Sequence, residues 1–184
     1  MWNGTGTLEK EFEMLDVTDK HIFFYKEWPS NFYKSLFKYT SMYDGVERMF
    51  FCSEQAFMHE KAVFFGDHEI AGKILEAQSP MTAKELGRQV RNFDDDAWEQ
   101  ERYKVMVEVN YAKYSQNMEL RTRLLDPEFD GKTFVEASPV DGIWGILMPQ
   151  GTDGIDDEAN WRGRNLLGKA ITEVRSRLMT EDPE

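Results

Sequence analysis

The sequence predicts an α+β fold, mainly helical, in one compact domain with a small β-hairpin region near its N-terminus. Three observations carry this. The chain has 184 residues, 41% apolar and 14% aromatic, which suits one domain with a substantial core. Segments with helical spacing outnumber short strand-like runs. Strands and helices follow no regular βαβ alternation. Taken in order, "HIFFYKEW" from His21 reads as a short strand and "PSNFY" as a turn-rich connection. "SLFKYTSMYDGVERMFF" reads as a hairpin with Asp44 and Gly45 as a two-residue turn. The first helix follows, with Ser53 as N-cap and Glu54 in the first turn, where a negative charge meets the positive end of the helix dipole. "DHEIAGKILEA" and "SPMTAKELGRQV" are short helices, the second capped by Ser79 with Pro80 at its first position. "DDDAWEQERYKVMVEVNYAKYSQNMELRTRLL" is the longest helical run, with Trp98, Val105, Val109 and Ala112 at helical spacing and a break at Pro127. "KTFVEAS" reads as another strand, "PVDGIWGILMPQGTDGIDDEANWRG" as a long loop, and "RNLLGKAITEVRSRL" as a final amphipathic helix.

Charge and composition narrow the function classes. The formal net charge is −12, and no basic run is present, so a protein that tracks phosphate backbones by bulk electrostatics is disfavoured. A nucleic-acid substrate would have to be gripped locally, at a few arginines and lysines. The N-terminal stretch "MWNGTGTLEKEFEM" has no basic n-region followed by an apolar core, and no run approaches the length of a membrane span. A cytoplasmic protein without membrane contact is expected. One cysteine excludes an internal disulfide and a cysteine-rich zinc site, and His21, His59 and His68 show no metal-ligand spacing. Neither a metal nor another cofactor is called for.

A few residues break the bland pattern. On a helix, Glu54, Met58 and Lys61 share a face among Phe50, Phe51, Phe57, Phe64 and Phe65. A carboxylate there is either a dipole-complementing first-turn residue or an acid/base in a pocket wall. In "MTAKELGR", Ala83, Leu86 and Val90 form the apolar stripe, with Lys84, Gly87 and Arg88 on a neighbouring face. Lys84 is either solvated or a nucleophilic amine. In "VDGIWG", Asp141 is a turn residue or a polar site group, and Trp144 a core or a pocket ring. Trp98 is open to the same two readings. "GRNLLGKA" opens the last helix, where Asn165 can cap, backbone N–H groups suit phosphate oxygens, and Arg164 adds a bidentate donor. Asn31 and Phe32 are a simple turn or a pocket edge.

Taken together, "PSNFY", "SEQAFMHEKA", "SPMTAKELGR", "WEQERYKVMVEVNYAKYSQN", "EASPVDGIWG" and "GRNLLGKAITEVR" occur in the order seen in the NADAR family, the YbiA-like proteins. The resemblance runs from about residue 29 to residue 178. It implies an N-terminal extension over 1–18, a NADAR domain over 19–178 and an acidic tail over 179–184. It implies a compact, mainly helical α+β domain that cleaves N-glycosidic bonds. One branch of the family resembles enzymes that remove ADP-ribose from guanine in DNA or RNA, reversing a DarT-type modification, with ADP-ribose as product. Another looks like an N-glycosidase on phosphorylated intermediates of riboflavin synthesis. A silent ADP-ribose reader or a partner-sequestering module is the alternative of another class.

By the same resemblance, Glu54 is the acid/base, Lys84 a Schiff-base nucleophile that selects the ADP-ribosyl branch, and Asp141 a ribose-side partner. Asn31, Phe32, Gly87, Arg88, Trp98, Trp144, Gly145, Arg164 and Asn165 are the implied binding residues. The chain departs from the pattern at Gln55 and Ala56, where the family version has His and Tyr. It departs again in the long stretch from Ile146 to Arg162, a substrate-facing flap or a solvated acidic loop.

Overall fold

A computed structural model describes residues 15–181. Of the assigned N-terminal extension (1–18) and acidic tail (179–184), residues 1–14 and 182–184 lie outside the described residues, while Asp16 and Val17 form a strand and 179–181 end the last helix. The fold is α+β and mainly helical, with five short strands and six α-helices among the described residues. Packing divides the chain into two units: Met1–Ser30 with Pro127–Thr172, and Asn31–Asp126 with Glu173–Glu184.

The first unit is built on a three-stranded sheet. β1 (Asp16–Val17) pairs antiparallel with β2 (His21–Phe24), and β2 pairs parallel with β5 (Thr133–Glu136). As the central strand, β2 is covered on both faces: Ile22, Phe23 and Phe24 have no exposed surface. That explains why "HIFF" is a continuous apolar run instead of an alternating one. Phe23, Val135, Ala137, Ile146, Met148 and Ile155 form the core of this unit, with Trp161 packed against it. The stretch from Ile146 to Arg162 is thus neither a free flap nor a fully solvated loop. Ile146, Met148 and Ile155 join the core, Gln150 Nε2 donates to the Phe23 carbonyl at 3.2 Å, and Asp153, Asp157 and Glu158 stay exposed. His21, buried, meets Asp156 through Nδ1 at 2.8 Å and Glu158 through Nε2 at 3.2 Å, while Thr18 Oγ1 donates to Asp156 at 2.7 Å.

The second unit begins with the hairpin of β3 (Phe37–Thr40) and β4 (Glu47–Phe50), where β3 alternates buried and exposed as a half-covered strand should. Asp44 and Gly45 do not form a two-residue turn. The loop spans residues 41–46 because Ser41 Oγ accepts the Tyr43 and Asp44 N–H groups and Gly45 takes φ 70°. α1 (Ser53–Phe64), α2 (His68–Leu75) and α3 (Pro80–Gly87) follow, then α4 (Asp95–Gln116) and α5 (Met118–Leu124). Ser79 caps α3 as expected, accepting from Thr82 N–H at 3.1 Å. The cap of α1 is Cys52, not Ser53: Cys52 is extended and its Sγ accepts from Gln55 N–H at 3.4 Å. The predicted single long helix is two. Asn117 interrupts it, with its carboxamide donating to the Lys113 carbonyl at 2.8 Å and the Leu36 carbonyl at 3.3 Å, the local competition with helix bonding that asparagine offers. α6 (Leu166–Glu181) runs through residues of both units.

Candidate active site

Glu54 is 5% exposed, in the first turn of α1. The segment before the hairpin fixes it, since the Glu54 N–H donates to the Asn31 carbonyl at 3.0 Å. Asn31 is itself buried, its carboxamide donating to Met106 Sδ at 3.3 Å. Beside it, Asn110 of α4 donates to the Met106 carbonyl at 3.0 Å and accepts from Ser53 Oγ at 3.3 Å. Gln55, where the family pattern differs, serves as a clamp: its Oε1 accepts the Phe51 N–H at 3.0 Å and its Nε2 donates to the Ile74 carbonyl at 2.9 Å.

The face that carries Glu54 meets α3. One turn along from Glu54 is Met58, and a Cβ on Gly87 would run into the Met58 side chain, with its Cβ at 3.0 Å. Glycine is required there by close approach. Lys61, the third residue of the stripe, donates from Nζ to the Gly87 carbonyl at 3.0 Å and lies 4.2 Å over the Phe93 ring. Burial lowers its pKa. Its partners are therefore α3 and Phe93. Lys84, one turn before Gly87, is half-buried with Nζ 5.5 Å from the centroid of Phe32. Asn31 and Phe32 are adjacent, so one dipeptide touches Glu54 with its backbone and Lys84 with its ring. Arg88 is exposed at the end of α3. Trp98 is 4% exposed and packed against Phe57, Phe64 and Phe65 at centroid distances of 5.4, 5.7 and 6.2 Å. That is the environment of a core anchor.

In the first unit, Asp141 Oδ1 accepts the Ile143 and Trp144 N–H groups at 2.9 and 2.8 Å. Oδ2 is clear of hydrogen bonds among the described residues. Trp144 is half-buried. A Cβ on Gly145 would stand 2.8 Å from the Glu136 carbonyl, so this glycine is set by packing.

The opening of α6 differs from expectation. The N–H groups of Arg164, Asn165, Leu166 and Leu167 donate to the carbonyls of Gly142, Gly145, Ile143 and Trp144, at 2.9 to 3.2 Å. They are spent on the "DGIWG" loop and are not open to phosphate. Nor does the Asn165 side chain cap the helix, although the Asn165 carbonyl accepts the Lys169 N–H at 3.0 Å. Fully buried at φ 53°, it accepts the Glu136 N–H at 3.0 Å and donates to the Phe134 carbonyl at 2.9 Å, binding β5 instead. Arg164 is exposed.

Two buried polar residues of α4 escaped the sequence reading. Asn110 and Lys113 are both fully buried. The signal was present, because Lys113 continues the Val105 and Val109 stripe at four-residue spacing, a charged residue where the pattern calls for an apolar one. Among the described residues, no group of three or more His, Cys, Asp or Glu side chains is arranged to hold a metal ion. No helix among them is long and apolar enough to cross a membrane.

The NADAR domain model matches residues 19–179. The chain is 37% identical over 183 residues to protein irg-1 of Caenorhabditis elegans, covering 93% of this chain and 85% of that one. It is 39% identical over 173 residues to N-glycosidase R617 of Acanthamoeba polyphaga mimivirus, covering 86% and 96%. It is 31% identical over 129 residues to N-glycosidase YbiA of Shigella flexneri, covering 70% and 71%. The NMR structure of the E. coli protein YbiA superimposes with a TM-score of 0.68 at 27% identity, over 94% of this chain and 91% of that one. A mainly helical α+β chain with a buried glutamate at the start of its first helix is thus a member of a known class. The chain belongs to the NADAR family.

Proposed function

We propose that the protein is an N-glycosidase that releases ADP-ribose from guanine in DNA or RNA. The names of the R617 and YbiA relatives support N-glycosidase chemistry. The observation that carries the finer substrate is Lys84, an amine beside Phe32 on the segment that also binds Glu54. Cleavage of the bond between the anomeric carbon and the base nitrogen builds cation character on carbon and requires a proton on the leaving nitrogen. Glu54 supplies the acid/base function. The Lys84 amine bonds to the anomeric carbon as the bond from that carbon to the ring oxygen breaks; the bond to the guanine nitrogen then breaks as the imine forms, and the two amine protons pass, through Glu54, to the ring oxygen and the guanine nitrogen. Water then hydrolyses the imine, freeing ADP-ribose and the lysine. One water is consumed overall. Asp141 and Trp144 of the first unit keep, as proposals, the ribose-side and ring-contact roles that the family resemblance assigns them.

The test is incubation with a guanine-ADP-ribosylated DNA oligonucleotide in EDTA, reading the masses of DNA and sugar. Recovery of the unmodified oligonucleotide with free ADP-ribose is expected, and borohydride should trap an adduct on Lys84. Glu54→Gln and Lys84→Ala should each lose on the order of a hundred- to ten-thousand-fold in rate while remaining folded. Near-normal turnover by either variant removes its assigned role. A second reading, an N-glycosidase on phosphorylated riboflavin intermediates, is favoured by the net charge of −12; turnover of those compounds with an untouched oligonucleotide would select it. Binding of ADP-ribose without any turnover would identify a reader.

A further inference from the structure

His21 opens β2 and is 2% exposed, yet both of its ring nitrogens meet carboxylates of the stretch from Ile146 to Arg162. Nδ1 stands 2.8 Å from Asp156 Oδ1 and Nε2 3.2 Å from Glu158 Oε1. Proton counting decides what these two contacts need. Asp156 Oδ1 also accepts the Thr18 hydroxyl at 2.7 Å, and that bond, followed by the one from His21, holds the Asp156 carboxyl below its usual range. Asp156 is therefore an acceptor, and Nδ1 carries a hydrogen. A neutral imidazole with its hydrogen on Nδ1 has only a lone pair at Nε2, which would face the Glu158 oxygen. The second contact closes only with one further proton, shared between Nε2 and Glu158.

We propose that His21, Asp156 and Glu158 form a proton-dependent latch on this stretch, closed while the contact between Nε2 and Glu158 holds its proton and open at Glu158 once that proton is lost. The two carboxylates are not equivalent. Asp156 keeps its bonds to Nδ1 and Thr18 in either state, whereas Glu158 is exposed and is the end that lets go. Glu158 opens the one-turn 3-10 helix Glu158–Asn160, and its carbonyl accepts the Trp161 N–H at 3.1 Å. Trp161 lies 5.1 Å from the His21 ring and donates from Nε1 to the Ile155 carbonyl at 2.7 Å. The next two residues, Arg162 and Gly163, both donate their N–H groups to the Ile146 carbonyl, so the latch holds the closing end of a segment that begins two residues after Trp144. Around His21, Asp156 and Glu158 come from the stretch itself and Thr18 from the turn after β1. Lys20 and Asp157 line the same cavity of about 620 Å³, and Thr133 is the residue paired with His21 on β5. Histidine is the side chain that ordinarily changes charge between about pH 5 and 8. The closed state holds one proton more than the open one, so acid closes the latch and alkali opens it.

The test uses the full chain and needs no substrate, so its outcome is independent of the glycosidase reading. Nitrogen-15 NMR of the His21 ring across about pH 5 to 8 should show Nδ1 keeping its hydrogen throughout while the Nε2 signal changes. Hydrogen exchange at the Trp161 N–H, corrected for the intrinsic rate, reports the latch, because local opening at Glu158 frees that group. In the unmodified protein its protection is expected to fall by about threefold or more across that range, the modest size of an ion pair with an exposed partner. Glu158→Gln can donate an amide hydrogen to the unprotonated Nε2, so its protection should stay level. Glu158→Ala, with no contact to make, should be level at the lower value. Glu158 lies on the surface, so neither variant disturbs the core. Level protection in the unmodified protein overturns the proposal, as does an equal fall in Glu158→Gln. An Nε2 signal that is constant across the range overturns it as well, and the unmodified protein alone can return that answer.

Discussion

Asn165 and Glu54 are both polar residues at the start of a helix, and the sequence gives them similar standing. Packing separates them. The Asn165 carboxamide is consumed by the Glu136 N–H and the Phe134 carbonyl, and its φ of 53° is one that asparagine tolerates better than most residues. Asn165→Ala should lower unfolding stability by about 2–4 kcal/mol, from two buried backbone groups left unsatisfied and a residue less suited to that conformation. A denaturant titration checks this; a loss below about 1 kcal/mol would mean that water replaces the carboxamide. Glu54 was legible because a carboxylate interrupts an apolar face. Lys113 obeyed the same rule but sat in a helix whose many charged residues hid it. The phosphate-binding reading of "GRNLLGKA" failed for a different reason, since the carbonyls that take its N–H groups come from residues some twenty positions earlier in the chain.

At the level of elements, the meeting of α1 with α3 depends on Gly87. Gly87→Ala would force Met58 from its place and should cost about 1–3 kcal/mol by overpacking. Adding Met58→Ala should lessen the further cost relative to Met58→Ala alone, giving a double-mutant coupling of on the order of 1 kcal/mol. Strict additivity in thermal or denaturant melts would show that the two side chains do not compete for one space. The cores of the helices and strands were readable from periodicity and capping, as at Ser79 and Pro80. Their edges were less so. Cys52 took the cap because its sulfur, not the Ser53 hydroxyl, faces the Gln55 N–H. Asn117 ended α4 because its side chain found carbonyl partners.

For the whole molecule, two dependences on solution conditions follow. Folded Lys113 releases its proton at about pH 7, whereas in an unfolded chain a lysine holds it to about 10.4. Between those values the unfolded chain binds more protons, so this residue makes folding more favourable as pH rises, by at most about 1.4 kcal/mol per unit. Its cost is greatest below about pH 7. Melting curves of the unmodified protein and Lys113→Met across that range should converge toward alkaline pH, and parallel curves would refute the linkage. The net charge of −12 sets the second dependence. With local grip and no basic track, turnover of the oligonucleotide at low concentration should change by less than about tenfold between about 50 and 200 mM salt, where a protein making 6–10 phosphate contacts loses about 10³–10⁵ in affinity. A loss in the latter range would point to a broad phosphate footprint.

The sequence by itself determined the fold class, the order of the main helices and strands, the family through its ordered motifs, and Glu54 and Lys84 as the residues to examine. These are properties of spacing, which a linear string records. Only the tertiary structure decided that Cys52 caps α1, that Asn165 serves β5, that the stretch from Ile146 to Arg162 joins a core, and that Lys113 is buried. Each of those depends on which distant backbone group or ring a side chain meets, and burial and hydrogen-bond partners are fixed only when remote segments pack.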